Sequence, residues 1–318
     1  AKNIKCVGNY DLIRKMRGSI CIMGPLLGRL REARVSMPGG CIIGARPVDL
    51  HLKGMRALGA KLVIDEGYIS AETDQLKGCR VFLGGRAGPT VLGTANLMMA
   101  AVLAEGTTVI ESAACEPEII DLAGFLKGLG AEITGAGSPT ITINGVTKLH
   151  GTDHQVIPDR IEAATYVICA AATESNVRII GARPDHMHAV LDKLQECGAE
   201  ITQEGTDLIC IGGGELNPVD ITTMPYSGFP TDVQAQFMAL MTLIPGISII
   251  TERIFESRFM HVSELGRLGA NIAIEGPSAI VKGGTGLRGA PVMASDLRAS
   301  AALVIAGLAA GGSTRISR

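Results

Sequence analysis

Hydrophobic positions along this chain recur at two spacings that take turns. Ile119, Leu122, Leu126 and Leu129 fall on one face of a helix, and Met187, Val190, Leu191 and Leu194 do the same. Residues 140–143 and 208–211 instead alternate with a period of two, as strands do. The helical stripes end on one recurring phrase: Leu58-Gly59-Ala60, Leu129-Gly130-Ala131, Cys197-Gly198-Ala199 and Leu268-Gly269-Ala270. These glycines repeat at roughly 70 residues, the mark of a repeat architecture. Each stands where a left-handed residue would satisfy the last carbonyls of a helix.

Between successive caps lies a second kind of helix, over 96–104, 163–172, 234–243 and 299–309, rich in small and apolar residues nearly all round. Such helices belong inside a domain. Each leads into a β-branched strand, as at 107–110 and 248–251. The pattern predicts an α/β fold of repeated strand-helix-strand-strand-helix-strand units, with buried helices and outer sheets. One unit cannot cover its own apolar face, so several must close around a shared centre, each buried Leu or Ile contributing about 1.5–3 kcal/mol. Four units are expected, at about 1–75, 76–146, 147–214 and 215–286. A fifth stops at Arg318 after its inner helix and strand, so the chain is expected to be a fragment with an uncovered sheet edge and apolar helix flank.

Composition narrows the picture. Of 318 residues, 47% are hydrophobic but only 3% aromatic, with no Trp, so the core is expected to be aliphatic. A net charge of −2 predicts no basic stripe for nucleic acid or a membrane surface. No apolar run is long enough to span a bilayer, and no leader is visible; a cytoplasmic protein is expected. The eight cysteines, at 6, 21, 41, 79, 115, 169, 197 and 210, form no CxxC pair. They read as reduced thiols, seven of them packing only. His186 and His188 have no second ligand pair nearby, so no metal is expected.

The chemistry is densest in Ser36-Met37-Pro38-Gly39-Gly40-Cys41-Ile42-Ile43-Gly44-Ala45-Arg46-Pro47-Val48-Asp49-Leu50-His51. Two glycines precede a thiol, and an arginine follows it. Pro47 at a first helical position leaves the amides of Val48, Asp49 and Leu50 without intrahelical acceptors, and such amides attract anions. A thiol beside fixed positive charge can act as nucleophile or acid. On these residues alone the segment reads equally well as a strand-turn-helix around a small packed cysteine.

This segment resembles the active-site loop of the UDP-N-acetylglucosamine 1-carboxyvinyltransferases, members of the enolpyruvyl transferase family. The resemblance runs the length of the chain, through Met16-Arg17-Gly18-Ser19, Leu92-Gly93-Thr94, Pro158-Asp159-Arg160-Ile161-Glu162, Phe229-Pro230-Thr231-Asp232, Phe255-Glu256-Ser257-Arg258-Phe259-Met260-His261 and Asp296-Leu297-Arg298-Ala299-Ser300. It implies a two-domain inside-out α/β barrel of six units with the active site in the cleft between domains. The first domain, 1–152, carries the Cys loop and lacks its first unit; the second, 153–318, is incomplete at its C-terminus. The missing parts would carry a Lys-Asn pair and an arginine that bind phosphoenolpyruvate and phosphate.

The implied reaction moves the enolpyruvyl group of phosphoenolpyruvate to the 3-hydroxyl of UDP-N-acetylglucosamine, the first committed step of peptidoglycan synthesis. Through that step the resemblance links the chain to cell wall biogenesis, cell shape, division and the cell cycle. Cys41 matches the family's proton donor, which forms an adduct with phosphoenolpyruvate and is alkylated by fosfomycin. Asp232 matches the carboxylate that contacts the sugar and would take its hydroxyl proton. Arg298 lines the same cleft with Asp296. Arg17, Arg46 and Arg258 would hold anionic groups. Pro47, Val48, Asp49 and Leu50, with Thr90, Val91, Leu92, Gly93 and Ile254, match positions that touch the nucleotide sugar. The loop 84–89 departs from common family versions, which bears on the contacts at 90–93. The resemblance implies small-molecule partners only, no organic cofactor and a monomer. The alternatives are a 5-enolpyruvylshikimate-3-phosphate synthase, which lacks the Cys loop, and a non-catalytic paralogue that binds the nucleotide sugar. Read without the family, Asp232 is a helix N-cap, and Arg183, in a second Gly-Ala-Arg-Pro, is structural.

Overall fold

The computed structural model describes residues 4–13, 17–37, 48–255 and 258–317. They form two compact units, the first reaching Ile157 and the second starting at Pro158. Each has its own core, drawn from 13–143 in the first and from 161–306 in the second.

The helices needed below are α1 (Met23–Leu30), α2 (Asp49–Ala57), α3 (Val91–Ala101), α4 (Pro117–Gly128), α5 (Arg160–Ala172), α6 (His188–Glu196), α7 (Gln234–Leu243), α8 (His261–Arg267) and α9 (Leu297–Ala309). In the first unit, α1 and α3 are inner helices that pack on each other. In the second, α5, α7 and α9 do so, and every residue of α7 from Gln234 to Thr242 is buried. The apolar-all-round segments are therefore the inner helices, and the striped ones, α2, α4, α6 and α8, are the outer helices.

The sheets repeat one topology. Arg80–Phe82 runs parallel to Thr107–Glu111, which pairs antiparallel with Thr140–Asn144, which pairs with Glu132–Thr134. The sheets built on Glu32–Ser36 and Gly246–Thr251 follow the same plan. Their faces alternate: Ile250 is fully buried, whereas Ile247 and Ile249 are exposed. Within a repeat the order is strand-helix-strand-helix-strand-strand, so the outer helix precedes the hairpin instead of following one. The reason lies in the pairing. The central strand must meet the second hairpin strand antiparallel, and the outer helix carries the chain back to allow it.

The Gly-Ala phrases close the outer helices. Gly59, Gly130, Gly198 and Gly269 all have φ between 94° and 101°. The following alanines donate back to Met55, Leu126, Leu194 and Leu265 at 2.9–3.1 Å, a Schellman closure in each case. Three of the inner helices, α3, α5 and α9, start on side-chain caps: Thr90 accepts from Gly93 N, Asp159 from Ile161 N and Glu162 N, and Asp296 from Arg298 N and Ala299 N. On α9, Leu297, Val304 and Leu308 are exposed.

Candidate active site

In the second unit the strand Gly246–Thr251 delivers Glu252 into the interior, where it is fully buried. Its Oε1 accepts hydrogen bonds from Thr223 Oγ1 (2.7 Å) and from the amides of Ile254 (2.8 Å) and Phe255 (3.0 Å). Its Oε2 accepts from Thr231 Oγ1 at 2.8 Å. The chain thus wraps around its own carboxylate and turns toward Arg258, whose amide donates to Phe255 O at 3.0 Å.

Arg258 is 5% exposed. Its guanidinium stands 5.4 Å from the Phe255 ring centroid and forks, donating from Nη1 to Thr231 Oγ1 at 2.9 Å and from Nη2 to Asp232 Oδ1 at 2.7 Å. Arg298 Nε, from the first turn of α9, lies 3.7 Å from the same oxygen. Asp232 is not the helix cap that its position alone would suggest. It sits inside the short turn Thr231–Val233 ahead of α7, and no side chain caps that helix. Its backbone carbonyl accepts from Gln236 Nε2 at 3.0 Å, and its carboxylate, 43% exposed, turns to the two arginines. Asp296, by contrast, is a cap as well as a site residue by resemblance. Beside the arginine, His261 is buried; burial lowers its pKa to about 4, with Asp296 pulling it up and Arg258 pushing it down.

The structure therefore brings Asp232, Arg258 and Arg298 onto one oxygen atom, with Ile254 and Asp296 on the turns beside them. The carboxylate stays partly exposed between the two guanidinium groups, so its free lone pairs can accept a hydrogen bond from a hydroxyl. The cations also suit an anionic ligand.

The first unit gathers a second set. The hairpin Gly84–Gly85 and Gly88–Pro89 leads to Thr90, where α3 begins. A Cβ at Gly85 would come within 3.1 Å of Leu50 Cδ1, so that turn lies against the start of α2. Cys21 Sγ donates to Leu92 O at 3.6 Å. Asn96, one turn into α3, ties these segments: its Oδ1 accepts from Gly24 N (2.6 Å), and its Nδ2 donates to Ile20 O (3.1 Å) and His51 Nδ1 (3.0 Å). That last bond assigns the proton of His51 to Nε2. Burial lowers the His51 pKa to about 4, against a pull from Asp49. Val48, Asp49, Leu50, Thr90, Val91, Leu92 and Gly93 thus come from segments fastened together. Cys41, Arg46 and Pro47, with the side chain of Arg17, lie outside the described residues.

Other expectations also find their places. Arg183 adopts φ 50° and forks onto Asp185, a local structural role. Arg160 stands over the Tyr226 ring. Burial pushes the thiols of Cys21, Cys197 and Cys210 up to about 11, as packing cysteines would be. Among the described residues, no group of three His, Cys, Asp or Glu could hold a metal ion, and no helix is long and apolar enough to cross a membrane. Sequence reasoning did not single out Thr231, Glu252, Asn96 or His51, whose hydrogen bonds tie the site's segments together. Thr231 and His51 stood inside quoted phrases, whereas Glu252 falls just outside one, two residues before Ile254.

Residues 3–318 match the family described as EPSP synthase (3-phosphoshikimate 1-carboxyvinyltransferase). The fold agrees with the crystal structure of the enolpyruvyl transferase NikO from Streptomyces tendae at a TM-score of 0.88 and 25% identity, over 98% of this chain and 74% of that one. The chain belongs to this family of carboxyvinyl transferases. Within it, a UDP-N-acetylglucosamine 1-carboxyvinyltransferase from Desulfosudis oleivorans is 53% identical over 97% of this chain and 73% of its own length. Proteins of the same name from Caldanaerobacter subterraneus (55%; 97% and 74%) and Methylacidiphilum infernorum (52%; 100% and 76%) are similarly related. The chain spans about three quarters of the length of these relatives.

Proposed function

We propose that this chain is a transferase that moves the enolpyruvyl group of phosphoenolpyruvate to the 3-hydroxyl of UDP-N-acetylglucosamine, releasing phosphate, in peptidoglycan synthesis. The single observation that carries the chemistry is the convergence of Arg258 and Arg298 on Asp232 Oδ1. The acceptor is supported by the relatives named for UDP-N-acetylglucosamine, at 52–55% identity.

In this reading the sugar oxygen bonds to C2 of phosphoenolpyruvate and its proton passes to Asp232, while Cys41 protonates the methylene carbon. The C2–O bond to phosphate then breaks, and the methyl carbon returns a proton to restore the double bond. Arg17, Arg46, Arg258 and Arg298 hold the anionic groups. The N-terminal turns of α2 and α3, from Val48 and Thr90 onward, present amides and side chains to the nucleotide, and Ile254 touches the sugar. The reaction so written calls on no metal or organic cofactor. We read the two units as the family's two domains, the first carrying the Cys loop, in a monomeric cytoplasmic protein.

The test is phosphate release by the full-length chain from phosphoenolpyruvate with UDP-N-acetylglucosamine or with shikimate 3-phosphate. Release with the nucleotide sugar alone is the expected result. Release with shikimate 3-phosphate alone would assign the chain to the other acceptor, and binding of the nucleotide sugar without release would make it a non-catalytic paralogue.

A further inference from the structure

Among the described residues near Asp232, Glu252 is densely hydrogen-bonded, yet no recorded bond joins it to Asp232, and it meets the substrate-assigned Ile254 only through that residue's backbone amide. It is fully buried, and burying a carboxylate is costly unless donors surround it. Four do: the hydroxyls of Thr223 and Thr231 and the amides of Ile254 and Phe255. Replacing such a group by apolar residues is often neutral for stability, so stability alone is a poor reason for it. Its geometric effect is specific. A hydroxyl has one proton, and that of Thr231 is committed to Glu252 Oε2, so only a lone pair can face Arg258 Nη1. Thr223 follows the same rule, donating to Glu252 and accepting from Arg253 N at 2.9 Å. One carboxylate thereby shapes the turn that delivers Arg258 and polarises the oxygen that receives half of its fork.

We propose that Glu252 is a positioning residue for the transfer reaction, acting through Thr231 to keep Arg258 aimed at Asp232. This rests on the reading of Asp232 as the group that takes the hydroxyl proton. Without Glu252 the Thr231 hydroxyl can turn and donate elsewhere, Arg258 loses one arm of its fork, and Asp232 loses part of its fixed positive neighbour. Among the described residues, the other ionisable groups named beside the pair are Arg298, Asp296 and buried, neutral His261, and no recorded bond joins them to Glu252.

The experiment compares Glu252→Gln, Thr231→Val, Thr231→Ser and the Glu252→Gln/Thr231→Val double variant in the full-length chain. Phosphate release is measured from pH 5 to 9, and the Asp232 carboxyl is titrated by 13C NMR, its signal assigned by its loss in Asp232→Asn. Glu252→Gln should lower kcat by about 10–100-fold, the worth of one charge-assisted hydrogen bond. It should also move the acid limb of kcat/KM, and the Asp232 titration, to higher pH. Thr231→Val should do the same, Thr231→Ser should retain parent behaviour, and the double variant should be no worse than the worse single one. A loss equal at every pH, an unmoved Asp232 titration or multiplying losses would overturn the proposal. If Glu252→Gln does not fold, the Thr231 pair decides it, because an acid limb unmoved in Thr231→Val also overturns it. A parent chain that releases no phosphate removes the function reading, and the Asp232 titration still decides the role of Glu252.

Discussion

Arg258 and Asp232 meet through Nη2 and Oδ1 at 2.7 Å, with the arginine almost fully buried and the carboxylate 43% exposed. The asymmetry bears on the proposed roles. In the proposed reaction the buried arginine fixes the carboxylate as well as adding positive charge for the anionic groups, and the carboxylate is the more exposed member of the pair. Asp232→Asn keeps the shape but removes the base, and turnover should fall by about 10²–10⁴-fold, the usual span for a general base. Arg258→Lys keeps the charge but cannot reach Thr231 and Asp232 with a planar fork, and about 10–100-fold should be lost. Steady-state phosphate release checks both, and a parent-like rate in Asp232→Asn would leave that residue without a part in proton transfer.

Two buried histidines make stability pH-dependent. In the folded chain His51 and His261 take up a proton near pH 4, against 6.5 for the ordinary imidazole. As pH falls from above 6.5 toward 4, the unfolded chain binds protons that the folded chain refuses. Stability present above 6.5 therefore drains through that window, by up to about 3 kcal/mol for each histidine, and levels off below it. Urea midpoints at pH 7.5 and 4.5 should show a smaller drop for His51→Gln/His261→Gln than for the parent. An equal drop in both would place the proton uptake elsewhere.

The crossing of α1 over α3 is close enough to be tested by one methyl group. A Cβ at Gly24 would lie 2.1 Å from the backbone oxygen of Asn96 and 2.6 Å from its side-chain oxygen. Backbone cannot swing aside as a flexible side chain can. Gly24→Ala should destabilise by about 1–3 kcal/mol or more and disturb the bonds of Asn96 to Ile20 and His51. Thermal unfolding, with the His51 ring signals followed by NMR, reads both effects. An unchanged melting temperature would contradict the contact.

Cys41 is the remaining chemical commitment. Cys41→Ala should abolish any covalent mass adduct with phosphoenolpyruvate, and fosfomycin should label the parent but not the variant when UDP-N-acetylglucosamine is present. Intact-protein mass spectrometry measures both, and labelling that persists in Cys41→Ala would assign the adduct to another thiol.

What the sequence determined by itself was local. The helix stripes and the Gly-Ala closures depend on residues within a turn or two of each other, so spacing and residue type suffice to find them. Local pattern alone would make Asp232 a cap, because its carboxylate stands beside a helix start, until its partner is seen. That partner is 26 residues away. The bond from Thr231 to Glu252 spans 21 residues, and that between Asn96 and His51 spans 45. Tertiary structure alone decided these, because a buried polar group takes whichever donors or acceptors the packed helices and strands bring to it, and no period along the chain records that choice.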